Sequence, residues 1–332
     1  MIGKLHPNLL RKYVFSRIGV SDDRVIVGPA YGEDAAIIDF DDEVLVIHSD
    51  PITGAIENLG WLAVNIACND IAVCGARPKW LLSVFYFPEN CDESIINKIT
   101  EQVDKAAKEL EVMVVGGHSE FTPSLKRPLI TMTALGIAKK EKYVTTKGCK
   151  SGDLIIITKS IGIEGTSILA TDFQEELRRK GVDDEKIEKG RKFIRNISVV
   201  KEALILADIG VNAMHDPTEG GVLGGLAEMA YSSGRRIEVW ENKMPVSETT
   251  QLFCKVLNLD PLKLISSGAL LASIPKDMVE IAIKKLSQEG IPATVIGEVK
   301  EGEGLVVHRN DGRIEKVGPY VEDELIRLWT EK

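Results

Sequence analysis

At 332 residues, with 44% hydrophobic and 27% charged side chains, the chain has the composition of a soluble globular protein and a length that suggests two cores. No run approaches the ~18 apolar residues of a membrane span, and Met1 to Pro7 shows no secretory leader, so a cytoplasmic protein without a membrane partner is expected. A net charge of −9 repels nucleic-acid backbones, and the dense basic runs, Arg178-Arg179-Lys180 and Lys189 to Arg195, sit among glutamates, so no nucleic-acid role is expected.

The apolar segments alternate between strand-like runs and helices, which predicts an α/β (α+β) chain. Val44 to His48 reads as a buried strand. Leu59 to Gly75 reads as a helix, apolar at 59, 62, 66 and 73, with Ala63, Ala67 and Ala72 allowing close packing. Ile96, Ile99, Val103, Ala106 and Leu110 mark an amphipathic helix, followed by strands at Val112–Val115 and Leu129–Ile137. The polar stretch Lys147 to Gly152 divides the chain into domains of residues 1–150 and 151–332. Beyond it come a strand at Leu154–Ile157, a glycine turn at Gly162 and Gly165, and helices through Leu206. A turn at His215–Gly221, a helix to Tyr231 and a terminal helix over Val321–Trp329 complete the pattern, with Leu325 and Leu328 facing inward. The five cysteines (68, 74, 91, 149, 254) form no C-x-x-C pair and indicate neither a zinc site nor a disulfide framework. Cys68 and Cys74 read as small core residues.

Five places carry residue types with chemistry to offer. Gly32-Glu33-Asp34-Ala35-Ala36 precedes an apolar pair, and His48-Ser49-Asp50-Pro51 follows a strand, where α/β folds open onto crevices. Either could also be a turn with a capping aspartate. Asn69-Asp70 lies inside an apolar helix, where a carboxylate is costly unless it meets a metal, a partner or water. Gly116-Gly117-His118-Ser119-Glu120 reads as a glycine turn in which the backbone could pass close to a phosphate. Asp216-Pro217-Thr218-Glu219-Gly220-Gly221 leads into a helix whose first N–H groups could meet an anion. Thr218 could equally be an N-cap and Glu219 an ordinary first-turn acid. Three separated aspartates and two glycine-rich turns suit ATP with Mg²⁺, which takes oxygen ligands from carboxylates and phosphates. Neither a G-x-x-x-x-G-K-[ST] loop nor a G-x-G-x-x-G turn is present.

The ordered set Gly-Glu-Asp-Ala-Ala, Ser-Asp, Asn-Asp-Ile-Ala-Val-Cys-Gly-Ala-Arg-Pro, Gly-Gly-His-Ser-Glu, Lys-Ser-Gly-Asp-Leu-Ile and Asp-Pro-Thr-Glu-Gly-Gly-Val resembles the aminoimidazole ribonucleotide synthetase (PurM-like) superfamily. That group includes HypE, selenophosphate synthetase and thiamine-monophosphate kinase, and the resemblance is closest to the HypE branch. It implies a two-domain PurM-like fold and a homodimer whose N-terminal sheets join in a β-barrel. It also implies ATP near the domain and subunit boundary. Asp34, Asp50 and Asp70 would be the Mg²⁺–phosphate carboxylates. Gly116, Gly117 and Ser119 would line the nucleotide, with Asp216, Thr218, Glu219, Gly220 and Gly221 facing it from the second domain. Gly162, Gly165 and Ser266-Ser267-Gly268 would support that domain.

The resemblance further implies phosphorylation of an amide-type oxygen on a small acceptor, with Asp50 and Asp70 in the catalytic set. His118 and His215 are the candidates for proton transfer, with a satisfied structural histidine as the favoured role for each. HypE's C-terminal cysteine has no counterpart before the terminal Leu-Trp-Thr-Glu-Lys, so the thiocyanate route is not expected. No cysteine precedes position 68, unlike selenophosphate synthetase, and a histidine stands at 118 where the thiamine-monophosphate kinase has a carboxylate. Lys4 reads as a solvated lysine with a phosphate contact as the alternative. A non-catalytic nucleotide-binding partner of a maturation protein and a thiamine-monophosphate-kinase-like phosphotransferase are the other readings.

Overall fold

The computed structural model describes residues 5–52 and 57–330, so Lys4 lies outside the described residues. Two sheets organise the chain. The first contains β1 (Val25–Val27), β2 (Ala36–Phe40), β3 (Glu43–Ile52), β4 (Arg77–Pro88), β5 (Met113–Thr122) and β6 (Leu129–Lys139). Its strand order is β1-β2-β3-β6-β4-β5, an open sheet with β1 and β5 at its edges. Every pairing is antiparallel except β4 with β5, the pair joined through the helix Glu93–Glu109. That crossover helix is needed because parallel neighbours cannot be joined by a tight turn.

The helix Leu59–Val73 packs on this sheet and is buried on all sides except at Trp61. An apolar sequence with no polar stripe requires such burial. Gly60 allows its tight crossing with Glu93–Glu109, since a Cβ there would overlap the Ile99 carbonyl oxygen. The amphipathic pattern of the latter helix holds, with Ile99, Val103, Ala106 and Ala107 buried.

The second sheet is built from β7 (Leu154–Thr158), β8 (Ala213–His215), β9 (Arg236–Trp240), β10 (Leu271–Ile274), β11 (Ala293–Lys300), β12 (Gly304–His308) and β13 (Ile314–Val317). The order is β13-β12-β9-β11-β7-β10-β8. Central β7 reads Leu-Ile-Ile-Ile-Thr, the uninterrupted apolar run of a strand covered on both faces. The terminal helix spans Glu324–Thr330, three residues shorter at its start than the sequence pattern suggests, and buries Leu325 and Leu328 as expected.

Two local readings are corrected. The strand ending at His48 continues through Asp50 to Ile52, paired throughout with β6. Gly116 to Ser119 is not a turn but the middle of β5. Gly117 has φ +145°, and a Cβ there would overlap the Ser83 carbonyl oxygen of β4. The glycine serves close strand approach. No helix of the described residues is long and apolar enough to cross a membrane.

Candidate active site

A cleft of about 540 Å³ opens between the two sheets. Its floor comes from four places in the chain. The loop before β2 brings Glu33 and Asp34, β3 brings His48 and Asp50, the buried helix brings Asp70, and the end of β8 with the segment after it brings His215, Asp216, Thr218 and Glu219. Leu5, Pro7, Leu10 and Phe15 add an apolar rim next to Tyr320, Val321 and Ile326, the His6 ring lying 5.3 Å from that of Tyr320.

Asp34, Asp70 and Asp216 each place a carboxylate oxygen within 4.8 Å of the others. His48, Asp50 and Asp70 form a second such group, so Asp70 belongs to both. The His48 Nε2 lies 3.3 Å from the Asp70 carboxylate. Like charges this close repel strongly unless a cation or proton stands among them. The donor set is almost entirely carboxylate oxygen, the chemistry a hard divalent ion such as Mg²⁺ selects. These residues therefore fit the metal, with Asp216 joining Asp34 and Asp70 where the sequence assigned it only to the nucleotide.

His215 is the best-defined group of the site. Its Nδ1 lies 2.6 Å from Asp34 and its Nε2 2.8 Å from Glu228, and the ring is buried. Burial alone would strip its proton, yet Asp34 and Glu228 together hold its pKa well above the ordinary histidine value. The Nε2 contact with Glu228 is a hydrogen bond and the Nδ1 contact with Asp34 an ion pair, and a ring that keeps its proton between them has no lone pair to accept another. This geometry agrees with the structural role for His215: the ring fixes Asp34 and offsets the acidic floor.

Asp34 is also bound by the Thr146 hydroxyl at 2.8 Å, while the Thr146 N–H donates to Glu33 at 3.3 Å. Burial pushes the Glu33 carboxyl up, an effect opposed by Lys147 at 3.7 Å. Asn69 does not enter the cleft. Its amide donates to the Ile197 carbonyl at 3.0 Å and accepts from the Val199 N–H at 2.8 Å, tying the first-sheet helix to the second domain. Trp61 adds a bond to the Ile194 carbonyl at 3.2 Å.

Gly116, Gly117, His118 and Ser119 are exposed on β5, three strands removed from Asp50 on β3. They do not line this cleft. His118 instead meets Glu120 at 3.2 Å. The expected free N–H groups at Gly220 and Gly221 are also engaged, Gly220 with the Asp323 carboxylate at 2.9 Å and Gly221 with the Thr218 carbonyl at 3.0 Å.

The sequence reading missed Thr146, Glu228 and Asp323, none of which carries a local motif. It named His48 beside Asp50 without assigning it. It also missed Glu164, beside the Ser266–Gly268 turn, whose carboxyl is pushed up to about 8 by burial. Cys68 and Cys74 are buried core residues as expected, and burial raises both thiols.

Comparison with known proteins places this geometry. The N-terminal domain of AIR synthase related proteins matches residues 32–138 and the C-terminal domain matches residues 150–310. The chain belongs to the AIR synthase related family. A hydrogenase expression/formation protein of Methanocaldococcus jannaschii is 29% identical over 94% of this chain and 92% of its own length. The carbamoyl dehydratase HypE of Azotobacter vinelandii is 30% identical over 73% of this chain and 70% of its own. Selenide, water dikinases and thiamine-monophosphate kinases are also among the relatives. In structure, the hydrogenase maturation protein HypE in complex with ATP superimposes with a TM-score of 0.72 at 23% identity, covering 97% of this chain and 96% of that one. The fold is thus the two-domain PurM-like one, on a chain that stands near HypE within the family.

Proposed function

We propose that this AIR synthase relative binds ATP with Mg²⁺ in the cleft and phosphorylates an amide-type or similar oxygen of a small acceptor. The observation that carries the reading is the convergence of Asp34, Asp70 and Asp216, from both domains, within 4.8 Å. HypE, which shares the fold, has been solved with ATP. Bound Mg²⁺ would neutralise phosphate charge and orient the phosphates between its carboxylate ligands. Asp34, Asp70 and Asp216 would hold one ion. Asp50 and His48 stand at the second group around Asp70. The His215 imidazolium keeps Asp34 aimed at the floor, and Thr218 lines the second-domain wall.

None of the five cysteines lines the cleft, and burial raises the thiols of Cys68, Cys74, Cys149 and Cys254. An acceptor oxygen is therefore favoured over a thiol of this sequence. The same observation keeps a phosphotransferase reading alive, of the kind its thiamine-monophosphate kinase relatives are named for. A non-catalytic role beside a maturation protein has support in HypE, which has been solved in a complex with HypF.

Calorimetric titration of ATP into the protein, with and without Mg²⁺, tests the reading. Binding that requires the metal is the expected result. Heat-silent titrations under both conditions would remove ATP from the proposal.

A homodimer formed through the first sheet belongs to the same proposal. Among the described residues β5 pairs only with β4, and Met113, Val115 and Phe121 on it are exposed. A bare apolar edge strand favours pairing with another chain. We expect light scattering to give twice the 36.4 kDa chain mass and Phe121→Asp to give the single-chain mass. A monomeric parent protein would refute the dimer.

A further inference from the structure

Asp323 lies in the C-terminal segment, 4% exposed, and its carboxylate serves the start of two helices at once. One oxygen accepts from the Leu325 N–H at 2.8 Å, at the start of the helix Glu324–Thr330 to which Asp323 leads. The other accepts from the Gly220 N–H at 2.9 Å, at the start of the helix Gly221–Ser233 in a distant part of the chain. The two backbones are interlocked around that bond. Gly220 has φ +83°, and a Cβ there would come within 2.7 Å of the Val321 carbonyl oxygen. On the far side, Gly221 abuts the Leu262 and Leu264 carbonyl oxygens in the same way.

Both bonded segments are walls of the cleft. Tyr320, Val321 and Ile326 belong to one, Asp216, Thr218 and Glu219 to the other. We propose that Asp323 is a positioning residue of this site. Its carboxylate clamps the C-terminal segment to the Asp216–Gly221 loop and so sets where Thr218 and Glu219 stand against a bound ligand. A carboxylate accepting two N–H bonds cannot be replaced by an apolar side chain without leaving both donors buried and unmatched. Asparagine retains a single carbonyl oxygen, enough for one of the two.

The proposal rests on the cleft being the Mg²⁺–ATP site, so two independent readouts are required. Hydrogen–deuterium exchange of the parent protein, Asp323→Ala and Asp323→Asn reports the clamp itself. Calorimetry with Mg²⁺–ATP reports its effect on the site. We expect the 216–223 and 319–328 regions of Asp323→Ala to exchange at least ~tenfold faster, with β7 and β10 unchanged. Mg²⁺–ATP affinity should fall about tenfold, with Asp323→Asn intermediate in both measurements.

Unchanged exchange in those two regions overturns the clamp. Faster exchange with parental Mg²⁺–ATP affinity overturns the positioning role, leaving a purely structural residue. Should Asp323→Ala not fold, Asp323→Asn decides on the same criteria. If the parent protein itself binds no Mg²⁺–ATP, the ATP reading fails, and exchange still decides whether Asp323 joins the two walls.

Discussion

Replacing Asp70 by asparagine should weaken Mg²⁺-dependent ATP binding about a hundredfold, ~2.8 kcal/mol, more than any other single substitution in the cleft. Asp70 is the one carboxylate common to both oxygen-rich groups, and it is 6% exposed. Its substitution removes a formal charge from each group while keeping the side-chain volume. His48, 3.3 Å away, can still bond to the asparagine oxygen, so the fold should survive. Asp216→Asn should cost less because it touches only one group. Asp23→Asn, which changes the same formal charge at an exposed residue outside the cleft lining, controls for net charge. Equal affinities for Asp70→Asn, Asp23→Asn and the parent protein would show that the carboxylate cluster does not hold the metal.

Removal of the His215 imidazolium should have the largest effect on stability. His215→Gln leaves Asp34 and Glu228 facing a neutral side chain in a buried setting. Breaking one partner of a buried charge pair typically costs about 3–5 kcal/mol. The pH dependence has a definite sign. The folded-state pKa is raised above the ordinary value near 6.5, so the favourable contribution is complete below about pH 6.5. It is lost as pH rises through the elevated folded value. The gap in melting temperature between parent and His215→Gln should therefore be widest near pH 6 and shrink toward strongly alkaline pH. A gap of the same size at both ends, or none, would mean that His215 is neutral in the folded protein and the two-carboxylate clamp is not an ion network.

Much of this site was readable because burial and charge conflict in the sequence. Asp70 sits between Ile66, Ala67, Ile71 and Ala72, and a carboxylate among such neighbours needs a reason to be there. The structure shows Asp70 on the cleft floor and the adjacent Asn69 turned the other way, into a bond between domains. Neighbouring helix positions point about 100° apart, so one dipeptide supplies both. Asp216 was legible as a loop acid, though not as a neighbour of Asp34.

What escaped was pairing over long separations. Glu228 and Thr146 have ordinary local settings, and their importance arises only when a strand end and a linker meet Asp34. Gly116-Gly117 signals a turn by composition, but the demand it answers is a parallel strand passing too close for any Cβ. The Gly220 N–H looked available because the carboxylate that takes it is 103 residues away in the chain. Strand order and edge exposure likewise depend on non-local pairing, so periodicity revealed the elements of the first sheet but not that β5 would be left at its rim.

The bonds of Asn69 to the 197–199 backbone and the Asp34–His215 pair cross between the two halves and bear on how such a protein can be divided. Asp34, Asp50 and Asp70 come from one side of that junction and Asp216 from the other. The group of Asp34, Asp70 and Asp216 is complete in neither half alone. Exchanging one half for that of a relative would therefore require the seam to be exchanged with it: Asn69 with the 197–199 backbone, and Asp34 with Thr146 and His215. A crossover point in the linker would therefore separate side chains that bond to one another, and a chimera made there should lose the Asn69 and His215 contacts together.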